Sequence, residues 1–145
     1  MADGAIYVDS SIVLSVILQQ PGAIRYWSHW SLAVTSELME VEVLRTLHRL
    51  VALGEISLSR FAQHVSDVKV STAAFQRVPL TPAILKRVAG HFATPVGTLD
   101  AIHLATAMVW VERNSKDLLF LTHDRQLATA AQASGLDVHP LKGRK

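Results

Sequence analysis

Leu118-Leu119-Phe120-Leu121, followed by Thr122-His123-Asp124 and an alanine-rich stretch that runs to Gly135, decides the fold class. Four consecutive large apolar side chains cannot alternate between a core and water, so the run reads as a central parallel strand buried on both faces. Such a strand needs helices on both sides, and the residues that follow it supply one. Ala5-Ile6-Tyr7-Val8 is a second short β-prone run, and it stops at Asp9-Ser10-Ser11. From there the pattern alternates. Ile12 to Gln20 reads as a helix ended by Pro21-Gly22, and Ile24 to Trp30 as a further short helix. A strand is expected at Leu32 to Thr35, and Ser36 is placed to cap a long amphipathic helix from Glu37 to Leu53, closed by Gly54.

Ser57 or Ser59 opens the next helix, which runs to about Val70, and Phe75 to Leu80 reads as a strand kept at the sheet edge by Pro79. Thr81-Pro82 pairs a cap with proline at the first helical position, and that helix fades near Gly90. Thr98 is expected to cap an alanine-rich helix from Leu99 to Arg113, and Val138 belongs to a last short strand. The expected architecture is one α/β domain over residues 1–145, a three-layer α/β/α sandwich around a central parallel sheet.

Composition narrows the chemistry. The 145 residues are half apolar and 18% charged, which suits a chain with a packed core. With no cysteine, thiolate zinc sites, iron–sulfur clusters, disulfides and cysteine nucleophiles are excluded. Met1-Ala2-Asp3-Gly4 lacks the basic and apolar regions of a secretory signal, and no apolar run approaches the roughly 20 residues needed to cross a bilayer. The expectation is a cytoplasmic protein without membrane contact. The seven histidines show no paired zinc spacing.

Three aspartates fall at corresponding places. Asp9 follows the first strand, Asp124 follows the apolar strand, and Asp100 lies in the first turn of a helix. In open parallel sheets these places converge at the carboxyl ends of the strands. Each aspartate taken singly is accounted for by helix capping and the helix dipole. Together they would repel one another unless a cation is present or some are protonated. An all-oxygen set suits Mg²⁺ or Mn²⁺. A fourth acid is expected from the long helix, where Glu37, Glu40 and Glu42 are the candidates. Glu42 stands four residues beyond Leu38, beside Val41 of an expected apolar face and three before Arg45, whereas Glu37 and Glu40 read as solvated. With four of the 12 acids gathered around one cation, 14 basic residues face 8 acids elsewhere, a balance suited to a polyanionic substrate.

Val8-Asp9-Ser10-Ser11, Ser36-Glu37-Leu38 with Glu42-Val43-Leu44-Arg45, Leu99-Asp100-Ala101-Ile102-His103-Leu104-Ala105-Thr106-Ala107, and Leu121-Thr122-His123-Asp124 together resemble the motifs of PIN-domain nucleases, in particular VapC-type toxins of toxin–antitoxin pairs. The resemblance covers residues 5 to 140, and its most specific part is the Asp-Ala-x-His-x-Ala-x-Ala run. It implies that Asp9, Glu42, Asp100 and Asp124 are the four acids of the site, with Asp9, Asp100 and Asp124 binding Mg²⁺ or Mn²⁺. It further implies endonucleolytic cleavage of RNA, a cognate VapB-like antitoxin and a homodimer. The other reading within the same family is a PIN-like module that binds RNA or protein without cutting.

Other residues have two readings each. Ser10 and Ser11 cap the helix at Ile12 or orient water at the site. Thr122 caps the last helix or hydrogen-bonds a ligating carboxylate. His103, one turn beyond Asp100, reaches the site edge or packs within its helix. Trp27 and Trp30 stack on bases or line a buried face. Arg25, Arg45, Arg49, Lys86, Arg87 and the tail Lys142-Gly143-Arg144-Lys145 contact phosphates or are simply solvated. A receiver-type signalling domain fails because Asp9 has no acidic neighbour and no lysine ends the last strand. A haloacid-dehalogenase-like phosphatase fails for want of Asp-x-Asp after the first strand.

Overall fold

Side chains that alternate across two central strands, each packed on both faces, set the architecture. In the computed structural model, which describes residues 2–23 and 27–139, Ala5 and Tyr7 of strand β1 (Ala2–Val8) enter one core, and Ile6 and Val8 enter another. Strand β4 (Leu118–Leu121) divides in the same way, with Phe120 on the first side and Leu121 on the second. The continuous apolar run therefore does what a central parallel strand requires.

Helices α1 (Ser10–Ile17), α2 (Leu38–Ala52) and α3 (Leu58–Ser71) cover the second core through Ile12, Met39, Val43 and Val68. Helices α4 (Pro82–Val88), α5 (Thr98–Asn114) and α6 (Arg125–Ala133) cover the first through Ile84, Leu104 and Leu127. The result is three layers, α/β/α. Ala101, Ala105 and Ala107, all buried, keep α5 close to the sheet.

Strands β2 (Trp30–Ser36), β3 (Gln76–Val78) and β5 (Asp137–Val138) complete a five-stranded, all-parallel sheet in the order β3-β2-β1-β4-β5. The chain winds outward from β1 to β3, then returns to the other side of β1 with β4. That reversal opens a crevice between the carboxyl ends of β1 and β4, where helix N-termini converge. Asp9 follows β1 and Asp124 follows β4, so the topology puts both aspartates at the crevice.

Most expected elements are present within a few residues. The strand after Phe75 contracts to three residues at the sheet edge, as Pro79 demands, and Thr81 caps α4 by accepting from the Ile84 N–H at 3.3 Å. Three caps differ from expectation. Asp9 itself, rather than Ser10 or Ser11, caps α1. Gly97 precedes α5, and Thr98 is its first residue without a side-chain cap bond. Ser36 lies one residue further out than a cap, though its hydroxyl still accepts from the Leu38 N–H. Of the expected helix from Ile24 to Trp30, a 3₁₀ turn at Trp27–His29 is present, and residues 24–26 lie outside the described residues, as does the basic tail from Lys142. Trp27 is buried edge-on against Phe75, which settles the interior reading for it.

The two cores make a quantitative expectation. Leu104 is fully buried on α5, whereas Leu85 on α4 is 48% exposed. Leu104→Ala should cost about 2–5 kcal/mol through lost burial and a residual cavity. Leu85→Ala should stay within about 0.5 kcal/mol of wild type. Urea unfolding followed by circular dichroism measures both, and equal losses would contradict this packing.

Candidate active site

Asp9 is a carboxylate at the end of a central strand with 3% of its surface exposed, so its hydrogen bonds must be supplied by protein. Oδ1 accepts from the Ser11 hydroxyl at 2.6 Å and the Ile12 N–H at 3.2 Å, and Oδ2 accepts from the Thr122 hydroxyl at 2.6 Å. Each hydroxyl in turn accepts a backbone N–H, from His123 to Ser11 and from Asp124 to Thr122, both at 3.0 Å. The loop after β4 is thereby wired through two hydroxyls to the aspartate after β1. Burial still outweighs the His103 charge and these hydrogen bonds, and holds the Asp9 carboxyl above its ordinary pKa.

Asp124 caps α6, its Oδ1 accepting from the Gln126 N–H at 2.9 Å and the Leu127 N–H at 3.1 Å. Asp100 is different. It sits in the first turn of α5, half-buried, and makes no side-chain hydrogen bond among the described residues. Partial burial raises its pKa first, and the charges of Asp124, Asp9 and Glu42 raise it further against the opposing charge of His103. Capping explains Asp9 and Asp124 in part, but it does not explain Asp100.

Asp9, Asp100 and Asp124 line one cleft of about 250 Å³ with Ser10, Thr46 and Arg49. A groove of about 830 Å³ along α2 adjoins it, sharing Ser10, Thr46 and Arg49 and adding Val41, Glu42, Arg45 and Leu99. The four acids singled out in the sequence are thus gathered at the crevice and the groove beside it. Among the described residues no group of three or more His, Cys, Asp or Glu side chains stands close enough together to hold a metal ion between them. An open oxygen set with room for water still suits Mg²⁺, which keeps several of its waters and needs no closed protein cage, so that some of the carboxylates can act through them.

Glu42 is selected from its helix by contact. Its Oε1 is 2.5 Å from His103 Nε2, and the opposite ring nitrogen, Nδ1, is 2.6 Å from the Tyr7 hydroxyl. His103 is therefore a buried histidine that does reach the site. Burial alone would lower its pKa, but the hydrogen bond and charge of Glu42, with the charges of Asp9 and Asp100, leave it raised. Glu37 and Glu40 are not simply solvated: Glu37 accepts from the Leu80 N–H at 2.7 Å and Glu40 faces Arg77 at 3.5 Å, so both brace the β3 edge. Val41, expected on the apolar face, is 55% exposed, and Met39, Val43 and Leu47 form the buried stripe instead.

Ser10 lines the cleft while its neighbour Ser11 makes the bond to Asp9. Arg87 pairs with Glu112 through two 2.7 Å bonds, which ties it to α5. Arg45 and Arg49 line the groove. Tyr7, read from the sequence only as a strand residue, is a site residue that the apolar run concealed.

These electrostatics predict opposite behaviour for two aspartates. A raised carboxyl pKa favours folding while the acid is protonated. That contribution is complete below the ordinary carboxylate pKa and is lost as pH rises through the raised value. At pH 7.5 Asp100 has lost it, so Asp100→Asn should raise the Tm of metal-free protein, and the advantage should shrink toward pH 4. Asp124→Ala should instead lower stability by about 1 kcal/mol, because α6 loses its cap. Thermal melts in excess chelator test both, and a lower Tm for Asp100→Asn would return that residue to a structural role.

No curated protein matches the chain. Among solved structures, it is similar to the crystal structure of PAE2754 from Pyrobaculum aerophilum, with 17% identity, a TM-score of 0.61, and coverage of 95% of this chain and 90% of that one. At that identity the likeness concerns the fold. The PIN domain family matches residues 6–133, a span that runs from the last residues of β1 through α6 and contains all four acids. The chain belongs to the PIN domain family, whose members are generally nucleases.

Proposed function

We propose that this protein is a divalent-metal-dependent endoribonuclease that works as the toxin of a VapBC-type pair in the cytoplasm. The observation that carries the reading is the gathering of Asp9, Asp100 and Asp124 on one cleft, with Glu42 beside it and Asp100 free of any helix-capping task. Asp9, Asp100 and Asp124 would hold Mg²⁺ or Mn²⁺. When bound, such an ion polarises a phosphate oxygen and lowers the pKa of a coordinated water. Burial and then the repulsion from Asp124, Asp9 and Glu42 raise the Asp100 pKa, and a bound cation would relieve the repulsive part.

Asp9 is preoriented for that task, since Ser11, Thr122 and the Ile12 N–H fix both its oxygens. Glu42 is assigned a general-base role at the groove side, where its carboxylate would take up or orient a proton of the attacking water. Arg45 and Arg49 line the groove with charge suited to phosphates flanking the cut. A cognate VapB-like antitoxin and a homodimer are part of the proposal. They rest on the resemblance of the Asp-Ser-Ser, Glu42–Arg45 and Asp100–Ala107 motifs to VapC-type toxins.

Purified protein should cleave RNA in Mg²⁺ or Mn²⁺ and stop in excess chelator, and unchanged cleavage in chelator would overturn the metal role. Glu42→Gln should reduce the initial rate by at least about 10²-fold, the scale of losing one preorganised electrostatic contact. Glu37→Gln keeps a carbonyl for the Leu80 N–H, and Glu40→Gln loses only a part-exposed ion pair, so each should stay within about threefold of wild type. RNA binding without cleavage at any metal concentration would favour the non-cutting module.

A further inference from the structure

A buried hydrogen-bond chain passes between the two cores at the carboxyl end of the sheet and touches three of the four elements that carry the acids. Tyr7 lies two residues before Asp9 on β1, fully buried and stacked on Phe120 with ring centres 5.0 Å apart. His103 lies one turn beyond Asp100 on α5, 1% exposed, its ring edge-on to Tyr7 at 5.7 Å. Glu42 approaches from α2 in the opposite helical layer. We infer that His103, braced by Tyr7, is a positioning residue that fixes the Glu42 carboxylate at the groove through its Nε2–H. This rests on the nuclease reading above and adds residues that the four-acid pattern does not contain.

The polarity of the chain follows from its donors and acceptors. A carboxylate can only accept, so Nε2 must carry the proton shared with Glu42. Nδ1 faces a hydroxyl, which donates to a neutral ring and accepts from a charged one. The link therefore survives in either charge state. Burial keeps the Tyr7 hydroxyl protonated, raising its pKa well above the ordinary value, with Asp9 and Glu42 adding to the effect. Glu42 without this partner would be a flexible side chain on an exposed groove, and ordering it at the moment of reaction would cost rotamer entropy. The bond to a ring that is itself locked by packing removes that freedom beforehand. As a brace for stability alone the arrangement is poor, because a buried charged pair offsets its attraction by desolvation.

Amide side chains separate positioning from packing. Gln at position 103 can bring an N–H close to the place of Nε2, while Asn reaches only the Nδ1 side. His103→Asn should therefore lower kcat by at least about tenfold with KM within about threefold, and His103→Gln should recover most of that loss. In a Glu42→Gln background His103→Asn should remove little more, since the two act as one unit. Equal losses in His103→Asn and His103→Gln, or kcat near wild type in both, would overturn the proposal.

Imidazole ¹⁵N–¹H spectra of the wild-type protein provide a readout independent of cleavage. A proton on Nε2 that shifts in Glu42→Gln, with a Nδ1 resonance that shifts in Tyr7→Phe, supports the chain. A ring protonated on Nδ1 alone, or one indifferent to Glu42→Gln, overturns it. If wild-type protein cuts no RNA, the nuclease reading fails, and these spectra alone decide whether His103 holds Glu42.

Discussion

A charged group buried at the end of a central strand must be solvated by the protein itself, and Asp9 imposes that requirement here. Its two oxygens draw in Ser11, Thr122 and the first amide of α1 that can reach them. Because both hydroxyls also accept backbone N–H groups after β4, the requirement extends to the path of the loop that carries Asp124. The relative placement of two acids at the crevice is therefore fixed by hydrogen bonds to one of them. Burial nonetheless leaves Asp9 with a raised pKa, so the hydrogen bonds offset its desolvation only in part.

The remaining acids divide by what else they do. Asp124 combines a place in the cleft with a cap on α6, and Glu42 combines a place in the groove with a bond to His103. Asp100 has neither tie and carries repulsion from its neighbours. An acid whose burial and neighbouring carboxylates together outweigh the opposing charge of His103 is destabilising in the metal-free fold. The surrounding α5, with its buried alanines and Leu104, is packed tightly enough to hold it there.

The histidine chain crosses from one core to the other. Tyr7 and His103 belong to the side of the sheet covered by α4, α5 and α6, and Glu42 comes from the helix that covers the opposite face. They can meet only beyond the ends of the strands, where the sheet no longer separates the layers. At the crevice that gathers the aspartates, a polar link between the layers can bypass the apolar core.

Local pattern determined much of this protein. The apolar runs at Ala5–Val8 and Leu118–Leu121 announced strands buried on both faces, and capping residues and glycines marked most helix ends, because these depend on neighbours in the chain. Asp9, Asp100 and Asp124 were legible as a group, since each lies just after a strand or in the first turn of a helix. What local pattern could not decide was which side chain satisfies which. Ser11 rather than Ser10 bonds Asp9, Glu37 and Glu40 brace β3 rather than facing water, Val41 is exposed, and Tyr7 hides a polar contact within an apolar run. Those outcomes depend on the rotation of α2 about its axis and on residues as distant in sequence as Tyr7 and His103, separated by 96 positions. Helix rotation is set by how Met39, Val43 and Leu47 pack against the second core, a contact no single helix can specify by itself.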